Sequence, residues 1–186
     1  MDMGGLEQYL PDATWFRHSP YGIHGVAHAT RVLVWANHLA QSLAGPSALA
    51  IEELRWAAAC HDVGRENDGA DPDHPIRSAA WVRGQLGRVR PEVVATVDPT
   101  LVAELCRWHA ERDRTIPAIT LELLILKDAD ALDRARLGDL DERRLRLARS
   151  HELVGPAQRL YDRTGEGSTA SGAFVLAEAR GLLSEP

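Results

Sequence analysis

Residues 58–65 read Ala58-Ala59-Cys60-His61-Asp62-Val63-Gly64-Arg65, a small apolar run that ends in a His-Asp pair and then a glycine. Upstream, Ile51, Leu54 and Ala58 fall at the three- and four-residue spacing of one helix face. The run is therefore a helix that ends near Gly64, a residue able to take the left-handed turn that closes a helix. His61 and Asp62 sit in its last turn. Successive helical residues point about 100° apart, so near a helix end an imidazole and a carboxylate can still reach one ion. A borderline nitrogen together with hard oxygens suits divalent Mn, Fe, Co or Ni, with Mg also accommodated. Taken alone, the dipeptide also reads as a helix end at which Asp62 bonds local backbone and His61 packs.

On either side of this stretch the pattern is helix after helix. Residues 29–43 carry Val32, Trp35, Ala36, Leu39 and Leu43 on one stripe. Gly45-Pro46 stops that helix, and Ser47 can cap the next. After the His-Asp pair comes an acidic loop, Glu66 to Asp73, and then a helix over 75–86 with Pro75 in its first turn. Pro91 opens a short helix to position 97. Another starts near Thr100 and carries Leu101, Leu105 and Trp108. Residues 121–137 form the most apolar helix, hence the central one, ending at Gly138. The tail reads as helices over 142–163 and 173–183, with Gly155-Pro156 as a break. No stretch alternates with period two, so the fold class is all-α. A length of 186 residues suits one domain.

Composition narrows the partners. The net charge is −6, and the arginines between 134 and 149 alternate with acids, which reads as a solvated face. No long nucleic acid is expected, whereas a small anionic substrate is compatible because a metal supplies positive charge locally. The longest apolar run, Leu123-Leu124-Ile125-Leu126, is far short of the roughly 20 residues of a membrane span. The opening MDMGGLEQYLPD lacks a basic segment followed by an apolar one, so the cytoplasm is the expected compartment. Cys60 and Cys106 lie in apolar helical patterns and read as free thiols.

Eight histidines carry the remaining signal. His28-Ala29-Thr30-Arg31-Val32 opens the first long helix, and Lys127-Asp128-Ala129-Asp130-Ala131-Leu132-Asp133 lies in the apolar one. Carboxylates buried in such a helix require a cation or strong partners. Asp128 and Asp130 are about 200° apart, so one faces an ion and the other points elsewhere.

The ordered set His28, His61-Asp62 and Asp130 resembles the HD-domain superfamily of phosphohydrolases over about residues 24–137. That resemblance implies one helical HD domain spanning 1–186, with a C-terminal extension over 139–186. It implies a divalent metal held by His28, His61, Asp62 and Asp130, the last preferred over Asp128 because Ala129-Asp130-Ala131-Leu132 matches the family context. The activity implied is hydrolysis of a small phosphorylated substrate, most naturally a nucleotide, with Asp62, Arg65 and Lys127 in the catalytic machinery and His24 and Arg31 toward the substrate. Some members, including diadenosine tetraphosphate hydrolases, cyclic-di-GMP phosphodiesterases and di-iron oxygenases, add two histidines and hold two metals bridged by the Asp of the pair. His74 and His109 stand in those places in order, so one or two ions are implied. The chain lacks the Gly-Tyr-Pro segment of the cyclic-di-GMP enzymes. A di-iron oxygenase of the same family is the alternative activity. His18, His38 and His151 read as surface or structural, and the acidic loop lacks the ligand series of an EF-hand.

Overall fold

The computed structural model describes residues 3–43, 49–165 and 170–184. Two tight turns set where its first long helix begins: Gly25 N donates to Gly22 O at 3.0 Å and Val26 N to Pro20 O at 2.8 Å. Gly25 is required there, because any Cβ would run into the Pro20 carbonyl. Helix α1 consequently spans Val26–Leu43, three residues earlier than its apolar stripe suggests. Val32, Trp35, Ala36 and Leu39 are buried as expected, but so are Leu33 and Val34, while Leu43 is exposed. Burial on nearly all sides makes α1 the axis of the fold.

Helix α2 (Ile51–Cys60) and helix α6 (Leu121–Leu132) pack on α1. Helix α3 (His74–Trp81) runs through a π-helical turn, Val82–Leu86, into the short α4 (Gly87–Val89). Helix α5 (Pro99–Trp108) packs on α2 and α3, and the Asp98 side chain caps it by accepting from Thr100 N at 2.8 Å. The helix expected over 91–97 is only a 3-10 turn at Val93–Ala95. Thr120 caps α6, which tightens into a 3-10 turn, Asp133–Leu137, and stops at Gly138 with φ 67°. Gly45-Pro46 and Ser47 lie outside the described residues. The first residue before α2 is Ala50, with no side-chain cap.

Gly64 does not close α2 by a left-handed turn. The helix ends at Cys60, and among the described glycines only Gly5 and Gly138 have positive φ. Gly64 serves close approach instead: a Cβ there would strike Ser78 N and lie 2.8 Å from the Arg77 carbonyl carbon. Its N–H donates to Ser78 Oγ at 3.0 Å and its carbonyl accepts from Arg77 Nε at 2.7 Å. The end of α2 is thereby held against α3.

The tail also departs from expectation. Residues 142–163 are not one helix but a 3-10 turn at Glu142–Arg144, a short α7 (Ala148–His151) and α8 (Val154–Thr164). The break falls at 145–147, where the Asp128 carboxylate of another helix accepts from Arg146 N, Leu147 N and Ser150 Oγ at 2.8–3.0 Å and pins the segment leading into α7. Gly155 and Pro156 sit inside the first turn of α8, where proline is tolerated. Helix α9 (Gly172–Ser184) packs on α8 and α1. The apolar core takes in Leu6, Tyr9 and Trp15 from two N-terminal 3-10 turns (Leu6–Tyr9 and Ala13–Trp15) and Leu160, Leu176 and Leu182 from the tail. The described residues form no strand, and no described helix is long and apolar enough to cross a membrane.

Candidate metal centre

Five helices deliver their ends or inner faces to one place. His28 comes from the first turns of α1, His61 and Asp62 from the end of α2, His74 from the start of α3, His109 from the end of α5 and Asp130 from α6. All but Asp130 are buried. Asp62 is at the middle. Its Oδ2 lies 3.5 Å from His28 Nε2 and 3.9 Å from His61 Nε2, while its Oδ1 lies 3.1 Å from His74 Nε2 and 3.7 Å from His109 Nε2. The two oxygens of one carboxylate are thus divided between two pairs of imidazoles. Asp130 Oδ1 stands 3.5 Å from His28 Nε2. The donor atoms of His28, His61 and Asp130 all lie within 4.8 Å of one another, as do those of His61, Asp62 and His109 and those of His24, His28 and Asp62.

The far side of each ring decides what these atoms can be. His61 Nδ1 is 2.8 Å from Ala58 O, His74 Nδ1 is 2.5 Å from Asp71 O, and His109 Nδ1 is 2.7 Å from Cys106 O. A carbonyl only accepts, so each Nδ1 carries a proton, and Nε2 is the nitrogen turned inward that offers a lone pair to a cation. His28 Nδ1 does the same toward Asp133 Oδ2 at 2.7 Å. The four lone pairs meet in twos, His28 with His61 at 3.0 Å and His74 with His109 at 3.2 Å. Protonating His61 is opposed by burial, which holds its pKa down to about 3. Asp62 Oδ1 is buried with no hydrogen bond of acceptable geometry. Converging lone pairs and an orphaned carboxylate oxygen fit divalent cations, and partners that fix the ring from behind are the usual support of a metal-binding histidine.

A family profile decides the relationship: that of the HD domain matches residues 25–135, more than half of the chain. The chain belongs to the HD-domain family. No curated protein and no solved structure gave a match. The family is one of metal-dependent hydrolases, and the buried His/Asp cluster of this HD domain accords with that.

Other residues singled out from the sequence have been placed differently. Arg31 of the HD domain does not line the cavity beside Asp62. It is buried, its Nε 2.5 Å and Nη2 3.1 Å from the Asp133 carboxylate and its Nη1 3.3 Å from Thr164 Oγ1. Asp133, which sequence reasoning passed over, therefore joins Arg31 to His28. Burial works against its charge, but Arg31 and His28 outweigh that and hold its carboxyl far below the usual range. The signal was available: Asp133 follows Asp130 by three and shares a helix face with it. Lys127 borders the cavity, yet its Nζ donates to Trp108 O, His109 O and Glu111 O at 3.4, 3.0 and 2.5 Å. Its three protons are shared among these carbonyls and the Asp113 carboxylate at 3.4 Å, so it positions His109 and has none left for phosphate. Asp128 is fully buried and faces α7, and Asp130 is the member of the pair turned toward the histidines. Arg65 Nε is 3.0 Å from Asp62 Oδ2, and its Nη1 reaches Gly69 O. His24 Nδ1 has Asp62 Oδ2 at 2.8 Å and Arg136 Nη2 at 3.1 Å, and one ring nitrogen can serve only one of them.

A cavity of about 340 Å³ opens over Asp62, His74, His109 and Asp130. Seven basic side chains line it, Lys127 and six arginines, against three acidic ones, Asp62, Glu111 and Asp130. In a protein of net charge −6 this is a local reversal of sign.

Proposed function

We propose that this HD domain is a phosphohydrolase that holds two divalent ions, one against His28, His61 and Asp130 and one against His74 and His109, with Asp62 shared between them. The observation that carries the reading is the division of the Asp62 oxygens between the two histidine pairs. Residues 1–186 are read as a single domain, since one apolar core joins Leu6 to Leu182.

When bound, such ions supply Lewis acidity at a phosphoryl group and acidify water. The chain's own residues do the rest. Arg65 steadies Asp62 and sits at the base of the cavity. Burial lowers the pKa of His24, and its Nε2, which has no protein partner among the described residues, is the ring atom left for a substrate oxygen. The excess of arginine favours an anionic substrate, and the cavity volume falls in the range of small-molecule sites. A nucleotide is the substrate proposed, on the resemblance together with that charge.

The test is metal analysis of protein purified without chelator, followed by a hydrolysis screen across nucleotide mono-, di- and triphosphates. Two ions per chain and turnover of a phosphate ester or anhydride are expected. Asp62→Ala should lose the ions and the turnover while far-UV circular dichroism stays helical. His74→Ala and His109→Ala should each retain a single ion. Wild-type turnover in Asp62→Ala would overturn the assignment. One ion in wild type and in both histidine variants would overturn the shared pair. Retained iron with a visible chromophore and no phosphatase activity would favour the oxygenase chemistry instead.

A further inference from the structure

The six arginines around the cavity are not equivalent. Arg136 is spent on Ile23 O, Asp133 O and His24, and Arg65 on Asp62 and Gly69 O. Arg134 is paired with Asp139. Arg146 is wholly committed. It grips the Asp113 carboxylate in two-pronged fashion, Nε at 2.9 Å and Nη2 at 3.1 Å, while Nη1 reaches Asp128 Oδ1 and Arg144 O at 3.3 and 3.2 Å.

Two arginines remain. Arg112 is exposed and makes no side-chain hydrogen bond or ion pair among the described residues. Arg144 is 69% exposed, and its nearest acid, Asp141, is 3.7 Å away. Both face the same cavity. They are also held together: Arg146 binds Asp113, the neighbour of Arg112, and at the same time the carbonyl of Arg144. The bidentate pair thus fastens the segments bearing these two exposed guanidiniums to one ledge, anchored below by the buried Asp128. That ledge is outside the histidine cluster, since the histidines are buried and these arginines are exposed.

We infer that Arg112 and Arg144 form a second anion subsite, which takes a phosphate of the substrate other than the one at the metal centre, so that the preferred substrates carry two or more phosphates. A guanidinium presents paired donors that match phosphate oxygens, and two of them on a fixed ledge suit one tetrahedral anion. A substrate with a single phosphate leaves this excess of positive charge unanswered. The inference rests on the phosphate chemistry proposed above but not on turnover.

Titration calorimetry of metal-stripped protein separates the two. The probes are inorganic tripolyphosphate and orthophosphate. Wild type should bind tripolyphosphate, and Arg112→Ala/Arg144→Ala should weaken that binding by about tenfold or more. The control Arg88→Ala/Arg159→Ala removes the same charge from exposed positions outside the cavity. It should change affinity by less than about threefold, as expected of general charge attraction. Orthophosphate, a single tetrahedral anion, should bind wild type more weakly than tripolyphosphate does and should also lose affinity in the Arg112/Arg144 variant. Equal losses in the two double variants, or no preference for tripolyphosphate in wild type, would overturn the subsite. If the binding result holds and no phosphate compound is hydrolysed, the subsite stands and the phosphohydrolase reading falls. If monophosphates alone are turned over and tripolyphosphate is ignored, the reverse is true.

Discussion

At the residue scale, Asp133 supports the site from behind. It neutralises Arg31 and fixes the His28 ring, both in places water does not reach. Asp133→Asn keeps the shape but removes the charge, leaving a buried guanidinium without a counter-ion beside Thr164 and the Tyr161 ring. Breaking a buried pair from one side costs about 3–5 kcal/mol. For a chain of this length that lowers the thermal midpoint by roughly 6–20 °C. The same change loosens His28 from behind, which should weaken metal binding by about 10–100-fold. Calorimetry and a competition titration against a metal-binding dye check the two effects. An unchanged midpoint together with unchanged affinity would show that Asp133 is only a passive neighbour.

At the scale of elements, four of the five helices that carry the proposed ligands were the legible ones. Strong periodicity exposed α1, α2, α5 and α6, and the 200° separation of Asp128 from Asp130 was enough to send them to opposite jobs. What escaped were features made by contact between distant segments. The break at 145–147 is pinned by Asp128, and the role of Gly64 is set by the backbone of α3, and neither is written in local pattern. The N-terminal turns escaped for the same reason: Leu6, Tyr9 and Trp15 are too sparse to show a period, yet all three are buried. Tyr9 anchors that segment through its hydroxyl on Glu52 and its ring beneath Arg55, 5.2 Å away. Burial, reinforced by Glu52, pushes the phenol up to about 12. The folded state therefore favours the protonated phenol. That contribution is whole below the ordinary pKa near 10 and drains away as pH rises from there to about 12. Wild type should accordingly lose about 2 kcal/mol more than Tyr9→Phe between pH 10 and 12. Denaturant melts at the two pH values measure it, and parallel losses would mean that the hydroxyl is solvated.

Across the whole molecule, the site is also a fastener. The proposed ligands are drawn from α1, α2, α3, α5 and α6, and an unfolded chain brings no such set together. Ions that bind only the folded state stabilise it by about 2.7 kcal/mol at a hundred times their dissociation constant and about 4.1 at a thousand times. Stripping the protein with a chelator should lower the melting temperature by roughly 5–15 °C, and re-adding Mn should restore it. A midpoint indifferent to both would count against ions at this place.

Lys127 has a consequence of a different kind. It is the chain's only lysine, and its amine is enclosed by three carbonyls at the end of α5. Reagents that acylate or glycate lysine find nothing to react with while those carbonyls hold it. Any such reaction must wait until residues 108–111 part from α6. Its rate is then the rate at which the His109 corner of the protein comes undone, a clock for local opening set into the chain by a single side chain.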